Sequence, residues 1–177
     1  MPYEYKRISL QAGDNKKPEF LAVSPGGKIP CIQDGNVTLT ESMAINFYLA
    51  EKYGKGLMPT DLVERAQVYQ WSFWAISSVQ PLPLTILLHS MFLPEAERNP
   101  KAIDTARQQL PPYLNLLDGQ LKGKEYLVGS RFTVADLNAA SVIGFCNFVG
   151  VDLSAYANVQ AWLNRVQARP SFAKSMD

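Results

Sequence analysis

Histidine and cysteine are scarce in this chain: one histidine, His89, and two cysteines, Cys31 and Cys146, in 177 residues. Neither cysteine sits in a CxxC or Cys/His pattern, so zinc ligation at the usual spacings is unsupported and no metal is expected. Both thiols are expected as buried small hydrophobes. Charge of one sign is lacking too. Seventeen Lys and Arg stand against sixteen Asp and Glu, a formal net charge of +1, and no basic run is longer than Lys16-Lys17. The electrostatic footprint of a nucleic-acid binder is therefore missing. No apolar run reaches the roughly 18 residues of a spanning helix, and the opening MPYEYKRISL lacks the apolar centre of a signal peptide. The expectation is a cytoplasmic protein with no membrane and no nucleic acid among its partners.

What is present is an ordinary globular composition, 47% hydrophobic and 19% charged, in a chain long enough for one large or two small cores. Strand and turn signals fill the first fifty residues. Tyr3, Tyr5, Ile8, Ser9 and Leu10 form a mixed run that ends at Gly13-Asp14-Asn15 and suits an edge strand. A short helical segment is expected around Pro18 to Val23. After the breaker cluster Ser24-Pro25-Gly26-Gly27, the run Lys28 to Ile32, the turn Asp34-Gly35 and Val37-Thr38-Leu39 predict an antiparallel hairpin. From Ser42 the period changes, with Ile45, Tyr48, Leu49 and Tyr53 on one face and Gly54 as a stop.

Residues 55–60 read as a linker between a domain at 1–54 and an all-helical domain at 61–177. A helix from Asp61 carries Val68, Tyr69, Trp71, Phe73 and Trp74 and is interrupted by Pro81 and Pro83. Its aromatic residues, with His89, are read as core or dimer contacts. Another helix begins at Asn99-Pro100, shows Ile103, Ala106, Leu110, Leu114, Leu117 and Leu121 on one face, and kinks at Pro111-Pro112. The strongest start signal is Phe132-Thr133-Val134-Ala135-Asp136-Leu137: Thr133 can cap, Asp136 can reach back, and Phe132 can staple onto Leu137. A last helix runs from Asn158 through Trp162 and Val166 to a stop at Arg169-Pro170.

Several of these stretches, in order, carry a resemblance. Ser24-Pro25-Gly26-Gly27-Lys28-Ile29-Pro30 resembles the loop and cis-proline of the thioredoxin-like domain of cytosolic, bacterial-like glutathione transferases. Leu39-Thr40-Glu41-Ser42-Met43-Ala44-Ile45 resembles the Glu-Ser motif that opens that domain's third helix. Tyr126-Leu127-Val128-Gly129 with Phe132 to Asp136, and Asn158 to Leu163 with Arg169-Pro170-Ser171, are similar to segments of the family's helical domain, although Ala157 stands where proline is common. The resemblance covers nearly the whole chain. It implies an α+β fold, a thioredoxin-like α/β N-terminal domain followed by an all-α C-terminal domain, and glutathione as co-substrate.

Glutathione carries an amine beside a carboxylate at its γ-glutamyl end. By resemblance, the Ser42 N–H and hydroxyl, at the positive end of a helix dipole, would take that carboxylate while Glu41 pairs with the amine. A plainer alternative is that Ser42 only caps its helix and Glu41 is a first-turn acid. A cis Ile29-Pro30 bond would present the main chain of Ile29 to the peptide like an added strand. Lys28 and Lys17 are candidates for the glycyl carboxylate; either can be simply a solvated lysine, which for Lys17 is the preferred reading.

In the family, a first strand and helix carry the Ser, Tyr or Cys that stabilises the thiolate. The Met1 to Tyr5 run resembles the second strand, so the domain is expected to be N-terminally truncated, and the catalytic residue to lie before Met1 in a βα unit of about 20–25 residues. Tyr3–Leu10 is then expected to be displaced, loosely ordered, or paired with another chain. The implied function is conjugation of glutathione to small apolar electrophiles by a detoxifying homodimer, with attenuated activity. The alternatives are a non-catalytic glutathione or hydrophobic-ligand binding module, and a thiol reductase, for which Cys31 is poorly placed.

Overall fold

The computed structural model describes residues 2–174, and the chain divides into two compact units between Met58 and Pro59. In the first unit a turn ending at Gly13 and a single 3-10 turn, Asp14–Lys16, lead into α1 (Pro18–Leu21), which buries Phe20. The hairpin follows. β1 (Cys31–Asp34) pairs antiparallel with β2 (Val37–Thr40), Cys31 opposite Thr40 and Asp34 opposite Val37. Gly35 turns the chain at φ 61°, where any side chain is penalised. α2 (Ser42–Tyr53) lies on the hairpin, buries Met43, Ile45 and Ala50, and ends at Gly54.

The edge strand expected over Tyr3–Leu10 does not form. Residues 2–9 have no regular secondary structure, and Tyr3 and Tyr5 are 79% and 78% exposed. Among the described residues the sheet consists of β1 and β2 alone. A strand needs a partner for its N–H and C=O groups, and without one the exposed backbone is satisfied by water. Met1, counted in that expected strand, lies outside the described residues.

The second unit is helical. Asp61 caps α3 (Leu62–Trp74) by accepting from the N–H groups of Val63 and Glu64. The expected interruption at Pro81 and Pro83 is milder than a break. A π turn, Ala75–Val79, in which the Gln80 N–H reaches the Ala75 carbonyl, carries the chain into α4 (Pro81–Leu87) and a second π turn, Leu88–Phe92. This register places both prolines in the first turn of α4, the part of a helix where proline is best tolerated. The whole run, Leu62–Phe92, is long and apolar enough by length and composition to cross a bilayer. Val68, Trp71, Ser72, Ala75, Val79 and Ile86 form a buried stripe along it, as in a helix that packs one face against a protein core.

The helix expected to kink at Pro111-Pro112 is two helices, α5 (Pro100–Gln109) and α6 (Pro111–Leu121), because consecutive residues without N–H cannot continue the ladder. At the centre lies α7 (Val134–Phe148), with Val134, Ala135, Ala139, Ile143 and Cys146 fully buried and Asn138 donating to Ser72 of α3 at 3.0 Å. The Phe132 ring, expected to staple onto Leu137, meets Tyr126 edge-on and lies 3.9 Å from the Arg169 guanidinium, and Leu137 is 40% exposed.

α8 (Ala157–Gln167) has no cap from its own N-cap residue, Tyr156. Asp118 of α6 supplies one from 40 positions upstream, accepting from the N–H groups of Asn158 and Val159 at 2.9 and 3.1 Å and from Asn158 Nδ2 at 2.8 Å. Asp118→Ala should cost about 1–2 kcal/mol, the usual worth of a cap; a urea midpoint unchanged from the unsubstituted chain would refute that role. The chain was expected to stop at Arg169-Pro170, but Pro170 instead opens a short helix, α9 (Pro170–Lys174).

Candidate functional site

The cross-strand pairing of Cys31 with Thr40 brings together the segment just before β1 and the segment just after β2. Before β1, the Ile29–Pro30 peptide is cis, and Ile29 is 47% exposed. The preceding loop is tied down: buried Ser24 donates to the Lys28 carbonyl at 3.0 Å, and Asn15 Nδ2 to the Gly27 carbonyl at 2.8 Å. Gly27 adopts φ 61°, and a Cβ there would stand 3.0 Å from the Asn15 carbonyl oxygen, so both the backbone conformation and the close approach disfavour a side chain.

After β2, Glu41 adopts φ 70°, ψ 113°, a backbone conformation that costs a residue with a side chain about 1–3 kcal/mol. This sharp corner makes Ser42 the first residue of α2 and leaves Glu41 in the capping position, where its side chain makes no capping bond. The alternative in which Ser42 simply caps the helix is therefore not the observed arrangement. The first turn of α2 keeps its N–H groups free of any side-chain cap, beside the half-buried Ser42 hydroxyl and the exposed Glu41 carboxylate. Such an end attracts an anion through both its donors and its dipole.

Of the sequence candidates, Ile29, Pro30, Glu41 and Ser42 share this end of the hairpin, and Lys28 leads into it with an exposed side chain. Lys17 is engaged elsewhere, its ammonium 2.7 Å from Asp14 Oδ1. The hydrogen bond with Lys17 lowers the Asp14 pKa, and the same bond raises that of Lys17.

A second polar cluster was not singled out in the sequence. Asp34 Oδ2, at the far end of β1, accepts from Lys52 Nζ at 2.8 Å, Tyr53 OH at 2.8 Å and Tyr48 OH at 2.9 Å. Lys52 Nζ also donates to Tyr48 OH at 2.8 Å and stands 5.2 Å from the centroids of both tyrosine rings. Lys52, then Tyr53 and Tyr48, hold the Asp34 carboxyl down at about 2, so the pair stays ionised at neutral pH. The i,i+4 spacing of Tyr48 and Lys52 was the one available sequence signal.

The thiols differ in setting. Cys146 is fully buried in α7, which pushes its pKa up to about 12, whereas Cys31 is only half-buried at the start of β1. The expectation that both are buried holds for Cys146 alone. A disulfide-exchange reagent should titrate one thiol in the native chain and two in denaturant, because only a thiolate with access to the reagent reacts; two fast native thiols would contradict this. Among the described residues no group of three or more His, Cys, Asp and Glu could hold a metal.

A cis-proline loop, a hairpin and a helix form the small mixed unit, and helices alone form the second; this is the thioredoxin-like plus all-α class of two-domain protein. Residues 1–51 match the model of the glutathione S-transferase N-terminal domain, and residues 79–170 that of the C-terminal domain. The chain belongs to the glutathione S-transferase family, whose members are transferases with glutathione as co-substrate. It is 32% identical to glutathione S-transferase F10 of Arabidopsis thaliana, over 96% of this chain and 83% of the relative. It is 31% identical to GstB of Escherichia coli, over 98% and 85%. A Burkholderia graminis glutathione transferase, crystallised with two glutathione molecules bound per subunit, superimposes with TM-score 0.88 at 28% identity, over 100% of this chain and 78% of that one. The theta-class enzyme of Xanthomonas axonopodis pv. citri, with glutathione bound, gives 0.82 at 32% identity, over 90% and 77%.

Proposed function

We propose that the chain binds glutathione at Ile29–Pro30 and Glu41–Ser42 and conjugates its thiol to small apolar electrophiles. The observation that carries this reading is the Glu41 corner, where a strained residue leaves the first turn of α2 without a side-chain cap. The γ-glutamyl carboxylate sits against the Ser42 N–H and hydroxyl, its amine against Glu41, and the cysteinyl backbone along Ile29. Lys28 takes the glycyl carboxylate; Lys17, paired with Asp14, contributes general positive charge at most. In the reaction the thiol proton leaves to solvent, the thiolate sulfur forms the new C–S bond, and the leaving group departs with the bonding electrons. Relatives crystallised with glutathione bound support the ligand.

The reading extends to detoxification in the cytoplasm, where glutathione keeps thiols reduced, and both cysteines are free. Exposed Phe73, Met91 and Phe92 on the helical unit support a homodimer. The deciding experiment is a titration of bound glutathione at the ultraviolet thiolate band. Transfer chemistry requires the bound thiol to ionise well below its value in free glutathione. Binding with an unshifted thiol would leave a non-catalytic binding module, the second reading, in its place.

A further inference from the structure

We propose that Asp34, Tyr48, Lys52 and Tyr53 form a positioning clamp that sets the direction in which α2 presents the Ser42 amide and hydroxyl to glutathione. The proposal rests on the glutathione reading above. Its geometry is directional in a way that apolar packing is not: one carboxylate oxygen accepts from three donors on α2, and the lysine is further fixed over two rings. Met43, Ile45 and Ala50 bury one face of α2, and such contacts tolerate small changes of tilt at little cost.

The clamp sits opposite the site. β1 runs away from Ile29 toward Asp34, β2 returns to Thr40, and α2 runs outward again from Ser42. At the near end α2 is joined to β2 through Glu41 alone. Its 12 residues extend for about 18 Å, so the tie at Tyr48, Lys52 and Tyr53 decides the tilt of the helix about that corner. The first-turn N–H vectors follow the helix axis. Their aim at a bound carboxylate is thus fixed by side chains that never touch it.

Exposure separates this role from plain stabilisation. The Asp34 and Lys52 side chains are 24% and 44% exposed, and ion pairs so open to water add little to stability. Removing the tie should therefore disturb ligand geometry more than folding. In calorimetric titrations of the full chain with glutathione, Asp34→Asn and Lys52→Met should each raise the dissociation constant about fivefold, whereas Lys52→Arg, which keeps the ion pair, should stay within about twofold. Tyr53→Phe, which deletes one donor and little else, should fall between them and guards against a misfolded Asp34 variant. Because Ser42→Ala removes the hydroxyl that the clamp aims but keeps the amide, Asp34→Asn should cost only about twofold in a Ser42→Ala background. A flat response to Asp34→Asn and Lys52→Met in a chain that binds glutathione overturns the clamp alone, as does a full fivefold loss that persists in the Ser42→Ala background. No binding by the unsubstituted chain overturns the glutathione reading, and the clamp with it.

Discussion

Replacing Asp136 with alanine should lower the stability of the helical unit by about 4 kcal/mol, within the range for leaving buried donors of a polar network unpaired. Asp136 is fully buried near the start of α7. Its Oδ1 accepts from the Leu127 N–H and Trp162 Nε1–H, each at 2.9 Å, and its Oδ2 from the Thr133 N–H at 2.9 Å and the Thr133 hydroxyl at 3.1 Å. One carboxylate thus joins the loop before α7, the start of α7 and the middle of α8. Asp136→Asn provides the graded control. An amide can keep the Oδ1 acceptor for Leu127 and Trp162, but its NH₂ faces the Thr133 N–H, so about half the loss is expected. Urea unfolding monitored by tryptophan fluorescence measures both; a loss below about 1 kcal/mol for the alanine variant would remove Asp136 from the centre of this account.

The pH dependence has a defined sign. Burial raises the Asp136 pKa despite the opposing hydrogen bonds from Leu127, Thr133 and Trp162. A carboxyl whose folded pKa exceeds its unfolded value favours the folded state most at acid pH, and loses that advantage as pH rises from the ordinary carboxylate range through the raised value. The margin of the unsubstituted chain over Asp136→Asn should therefore narrow as the pH is raised. A margin that widens would mean the four donors outweigh burial.

Glu41→Gly should move stability and binding in opposite directions. Glycine adopts φ 70° without the steric cost that Glu41 bears, so the first unit should gain about 1 kcal/mol. The same change removes the carboxylate assigned to the γ-glutamyl amine, and glutathione affinity should fall about tenfold or more, the worth of one charge-assisted contact. Ser42→Ala should weaken binding without the gain in stability, since Ser42 has an ordinary helical place. Thermal unfolding and calorimetry on the same samples read both quantities. Were Glu41→Gly to bind glutathione as tightly as the unsubstituted chain, the assignment of Glu41 would fail, and the strain would have no functional explanation.

Much of this was legible within short windows of sequence. Gly35 between two β-branched runs gave the hairpin, the change of period at Ser42 gave α2, and Thr133 with Asp136 gave the capping box, because each is settled by residues within about four positions of one another. The nearness of Ile29-Pro30 to Glu41-Ser42 was legible for the same reason: they flank a hairpin whose register follows from its own turn. The strain at Glu41 was not, since no residue type announces it.

Other features required partners distant in the chain. Whether residues 2–9 became a strand depended on the presence of a neighbouring edge, and a strand-like composition cannot supply one. The prolines at 81 and 83 read as a break, yet a π turn carried the helix past them because its buried stripe from Val68 to Ile86 holds it in the core. Asp118 capping α8, Asp136 reaching Trp162, and Asp34 gathering Tyr48, Lys52 and Tyr53 link positions 14 to 41 residues apart. The sequence by itself determined most of the local elements, the caps at Asn99 and Thr133, and which residues flank the hairpin, because those depend on near neighbours. Only the tertiary structure decided which carboxylate meets which donor, because that choice is made by packing, which brings distant groups within hydrogen-bond reach and removes the water that would otherwise serve them.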